Sequence, residues 1–75
     1  MSKFLVFEVA PRGERWELKD PTGTSLMHAA SKKDLLWNAA RVAREHAPSQ
    51  ILVRGQDGQL LDELTYAQVP APSSF

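Results

Sequence analysis

The chain contains no cysteine and only two histidines, His28 and His46. Disulfides and thiolate metal sites are therefore excluded, and neither histidine has a partner at His-x-x-x-His spacing, so no zinc site is legible. Charge of either sign is not in excess: nine basic residues balance nine acidic ones. That balance supplies no overall field drawing the chain to nucleic acid or an anionic membrane, and any such binding must be local. Long apolar runs are missing too. Phe4-Leu5-Val6-Phe7 is interrupted by Glu8, far short of a signal-peptide core or the ~20 residues of a membrane span. The chain is read as cytoplasmic and without membrane contact.

Length sets a further limit. Seventy-five residues allow one hydrophobic core, and a domain of this size hides only roughly 60% of the surface its unfolded chain exposes. With disulfides and metals set aside, a partner subunit is the remaining common source of extra burial.

The residues present divide into short elements. Lys3 to Ala10 is rich in β-branched and aromatic residues and ends at Pro11-Arg12-Gly13, a strand followed by a turn. In Glu14 to Lys19, Trp16 and Leu18 alternate with Arg15, Glu17 and Lys19, the period of a half-buried strand. Asp20-Pro21-Thr22-Gly23 is a turn, and Thr24 to Ala30 a weaker strand without a clear polar face. Ser31 with Asp34 three residues on resembles a capping box opening a helix from Lys32 to about His46, which Pro48 stops. Leu35, Leu36, Ala39, Ala40, Val42, Ala43, His46 and Ala47 form its apolar stripe. Gln50 to Arg54, the turn Gly55-Gln56-Asp57-Gly58 and Gln59 to about Leu64 complete a hairpin. The domain is placed at residues 1–66; residues 67–75, with Pro70 and Pro72, are read as an extended or disordered tail. The fold class is α+β: a small antiparallel or mixed sheet in ββ(β)αββ order with one helix on one face.

Apolar residues occur on both strand faces: Phe4 and Val6 oppose Leu5, Phe7 and Val9, and Ile51 and Val53 oppose Leu52. One helix cannot cover two faces, and a soluble monomer seldom keeps a large apolar face open. A homodimer or higher oligomer is expected.

Trp16, the helix opening Ser31-Lys32 with Asp34, and the hairpin Arg54-Gly55-Gln56-Asp57-Gly58-Gln59-Leu60 followed by Thr65-Tyr66-Ala67 together resemble a bacterial and phage family, domain of unknown function 2188. The resemblance covers Val6 to Tyr66. Family members commonly carry histidine at Arg54, arginines at Gln56 and Gln59, and an arginine near Ala40; this chain departs at each. The resemblance implies the ββ(β)αββ arrangement and no activity.

Catalytic, cofactor and metal residues are not identified. An enzyme needs a nucleophile with its base, or paired carboxylates, in a pocket with room for substrate. Asp57 between two glycines is read as a hairpin turn, His46 as a partner for the last helix carbonyls, and serines 2, 25, 31, 49, 73 and 74 as residues of caps, turns and termini. Trp37 falls outside the apolar stripe, with Lys33, Arg41 and Arg44 as neighbours. These four residues are the candidate site. Its first reading is an interface, with Trp37 covered by the tail, a second subunit or the arginine stems; its second is a face that stacks nucleic-acid bases and holds phosphates. The expected function is thus a non-enzymatic, self-associating accessory or binding module without cofactor or small-molecule substrate. The alternative is a weak nucleic-acid-associated protein.

Overall fold

The computed structural model describes residues 4–67. Strands β1 (Leu5–Arg12), β2 (Arg15–Lys19) and β3 (Ser25–Ala29) precede the helix α1 (Lys32–Glu45), and β4 (Ser49–Arg54) and β5 (Leu60–Tyr66) follow it. They form one five-stranded sheet in the order β3-β2-β1-β4-β5. The sheet is mixed: β1 and β4 are parallel, and every other neighbouring pair is antiparallel. β3 therefore runs parallel to β4, and α1 is the long crossover that returns the chain from β3 to the far side of β1. The α+β reading and the element order hold; of the expected tail, only Ala67 lies within the described residues.

The helix begins where the sequence places it. The Ser31 hydroxyl accepts a hydrogen bond from the Asp34 amide at 3.0 Å, satisfying one of the free N–H groups of the first turn. At the other end, the His46 Nδ1–H donates to the Val42 carbonyl at 2.9 Å, the role expected for that histidine. Leu35, Ala39 and Ala43 are the buried helical residues. The small alanines let the helix sit close to Phe7, Val9, Leu18, Ile51 and Val53, which complete the core. At about 25 cal/mol per Å² of apolar surface hidden, this single contact layer is the main stabilising term.

Three local differences from expectation have physical causes. Pro11 does not end the first strand; it pairs with Trp16 inside β1. The β1–β4 pairing stops at Val9 and Val53, so Pro11 occupies a stretch with one neighbouring strand, where a missing N–H is tolerated. The blurred alternation of the third strand comes from a register shift at Leu18/Lys19. After it, Leu26 lines a groove with Leu5, Phe7 and Val42, and Met27 lines one with Asn38 and Val42, so two successive residues face the helix side. The last strand runs to Tyr66, past the expected end near Leu64.

The open face of the sheet is more polar than expected. Register places Val6 beside Gln50, Glu8 beside Lys19 and Leu52, and Ala10 beside Glu17 on that side. Arg54 Nε donates to Glu8 Oε2 at 2.7 Å across the parallel pair, and Gln50 reaches the Thr65 hydroxyl at 3.4 Å. Apolar side chains remain among them, but no continuous apolar sheet is left bare.

Candidate functional site

Three of the four residues singled out by the helix wheel do come together. Lys33, Trp37 and Arg44, with Asp34, Leu36 and Ala40, line a groove of about 420 Å³ along one flank of α1. Residues 33, 37, 40 and 44 are three or four apart and therefore stack along one helical row. Trp37 is 71% exposed, so no part of the described chain covers its ring. Arg41 is not in this groove. It lines the next groove with Met27, Asn38, Val42 and Glu45, because four residues past Trp37 the helix has turned about 40° further, away from Lys33 and Arg44. Two cations, one carboxylate and an exposed indole give the groove the means for stacking and weak anion contact.

The other tryptophan is accounted for. Trp16 is half-buried at the edge of the core, with Lys32 Nζ 5.6 Å from its ring centre.

A charged cluster that the sequence reading did not single out surrounds Glu17. Its residue is only 5% exposed although it lies on the sheet face away from the helix. Arg12 Nη1 donates to Oε1 at 3.3 Å, Lys19 Nζ is 3.9 Å from the same oxygen, and His28 Nε2 is 3.3 Å from Oε2. A hydrogen bond from the Ser25 hydroxyl, with the charges of Arg12, Lys19 and His28, holds the Glu17 carboxyl below its ordinary value against the opposing effect of burial. The period-two pattern marked Glu17 only as a residue of the polar side. Its burial depends on β3, whose His28 pairs directly opposite it.

A further concavity, about 350 Å³, lies between the start of β1, the β2–β3 turn and the helix C-terminus, lined by Leu5, Phe7, Leu26, Val42 and His46 among others. The neighbouring Asp20 carboxylate is already occupied: one oxygen accepts from the Thr22 amide, the Thr22 hydroxyl and the Thr24 amide. The Thr22 hydroxyl is the largest cause of its lowered pKa. His46 is likewise engaged with Val42 and sits 5.9 Å, centre to centre, from the Phe7 ring. These polar groups organise the turn and the helix end. Among the described residues, no group of three His, Cys, Asp or Glu side chains could hold a metal ion, and no helix is long and apolar enough to cross a membrane.

Residues 7–66 match the profile of a family described as an uncharacterized protein conserved in bacteria, domain of unknown function 2188. Comparisons with curated proteins and with solved structures return no match.

Proposed function

We propose that this chain, which belongs to the bacterial family of domain of unknown function 2188 over residues 7–66, is a small non-enzymatic binding module that works as a self-associated assembly. The observation that carries this reading is the apolar surface outside the core: Trp37, Leu60 and Leu61 are exposed at 71%, 43% and 48%. Exposed single hydrophobes are ordinary, but these lie on the helix and on an edge strand beyond the core. The groove beside Trp37 has no nucleophile–base pair, and the Asp20 carboxylate and His46 Nδ1 at the second concavity are committed to local structure. Both features favour binding over catalysis. Light scattering coupled to size exclusion, across micromolar concentrations, tests the reading: a dimer or larger mass is expected, and a constant monomer mass of 8.4 kDa overturns it.

The second reading, weak binding of single-stranded nucleic acid, is favoured by one arrangement, the placement of Lys33 and Arg44 in the same groove as Trp37. Stacking on an indole with flanking cations is the usual chemistry of such binders. Asp34 in the groove and the zero net charge weigh against it. The two readings separate by salt, since phosphate binding weakens steeply as salt rises and apolar association does not.

A further inference from the structure

We propose that two copies of this chain join edge to edge through β5, paired antiparallel about a two-fold axis at Leu64. This inference rests on the self-association reading and assigns its surface. The five-stranded sheet has two edges, β3 and β5. β3 is five residues long, and its pairing with β2 is broken by a register shift; β5 has seven residues, and its shift falls at Leu61, leaving Asp62 to Tyr66 in unbroken pairing with β4. From Asp62 to Tyr66, β5 therefore offers a regular row of backbone groups on the side away from β4, and such a row is a template for another strand. The helix packs over β1 to β4, leaving room above β5.

Side chains choose the partner and the register. Asp62 and Glu63 near the middle of β5 would repel a copy paired about Glu63, since Glu63 would meet Glu63. Moving the axis one residue to Leu64 removes that clash and satisfies both acids. Leu64 then meets Leu64, Asp62 meets Tyr66, and Glu63 meets Thr65, each cross pair occurring twice by symmetry. The phenol and hydroxyl donate to the carboxylates. Faces also agree: Ile51 pairs with Leu64 and Val53 with Asp62, so Leu64 and Asp62 share the helix-covered side, whereas Glu63 and Thr65 share the open side. Asn38 and Val42 face Met27 of β3, which places Leu36 and Ala40 on the flank toward β5, bordering the seam. A strand that pairs its two acids with its own donors is suited to a second copy of itself.

Because the native chain has no cysteine, single cysteines report the register directly. Leu64→Cys should form a disulfide-linked dimer under mild oxidation, since directly opposed strand residues have Cα atoms about 4.5–5.5 Å apart. Glu63→Cys alone and Thr65→Cys alone should not, their like positions being about 8 Å apart across the seam. An equimolar mixture of these two exposed-site variants should cross-link, which keeps the test independent of any packing loss at Leu64. Cross-linking of Glu63→Cys alone overturns the Leu64 register. A dimeric mass with no cross-link at Leu64 or in the mixture overturns this interface and leaves self-association standing elsewhere. A monomeric mass at all concentrations overturns both.

Discussion

The hydroxyl of Ser49, the first residue of β4, donates to the carbonyl of Ala43 in the last turn of the helix, and Ser49 is wholly buried. The bond fastens the strand to the helix end that precedes it and gives the Ala43 carbonyl a second donor beside the His46 amide. Ser49→Ala should cost about 0.5–1.5 kcal/mol, the net worth of one buried hydrogen bond, since the Ala43 carbonyl keeps the His46 amide as a donor. A urea melt checks this; an unchanged midpoint would show that the bond contributes nothing net.

The Glu17 cluster gives the fold an acid-sensitive component. The folded-state carboxyl lies below its ordinary value of 4.5, chiefly through the Ser25 hydroxyl and then the charges of Arg12, Lys19 and His28. A carboxyl with a depressed folded pKa stabilises fully above the unfolded value and loses that contribution as pH falls through the folded one. Glu17→Gln should therefore be less stable than the native chain near neutrality, and the gap should narrow below pH of about 4.5. Thermal melts across the acid range test the sign. A gap that stays constant with pH would mean the carboxylate charge is not what matters.

Gly58 has φ of 84° with no atom within 4 Å of where a Cβ would stand. Gly58→Val should cost about 1 kcal/mol or more, since the strain is in the backbone and not in crowding. An unaltered melting curve would show that the turn relaxes freely.

Binding of labelled single-stranded oligonucleotide should be absent at moderate salt. Should it occur at low salt, Trp37→Ala and Arg44→Gln ought to weaken it more than Arg41→Gln, because Arg41 lines the neighbouring groove and not this one. Binding indifferent to Trp37→Ala would refute stacking on that ring.

Local chemistry made much of this architecture legible. The Ser31 cap, the Asp57-Gly58 turn and the spacing of Leu35, Ala39 and Ala43 each act within a few residues, so each could be read without knowing what lay across the sheet. Trp37, outside the apolar stripe by its spacing, is exposed. What escaped depends on neighbours distant in sequence or on small changes of register. Ser49 looked like one more serine near a turn until β4 and α1 were brought together. Met27 and Leu26 lost their alternation to a bulge that no residue pattern announces. Arg41 joined the Trp37 group on a flat wheel, but the real helix divides them between two grooves.

The central pairing of the sheet has a consequence for the order in which the protein can fold. Leu5 lies beside Ser49 and Val9 beside Val53, so β1 must wait for a strand made after the helix. Before that, β1 to β3 form a meander that the helix can cover, with Ile51 and Val53 still missing from the core beside Phe7 and Val9. Contacts so distant along the chain pay their loop-closure entropy before any reward arrives. A nascent chain released short of Val53 would thus hold half a core and no means of closing it.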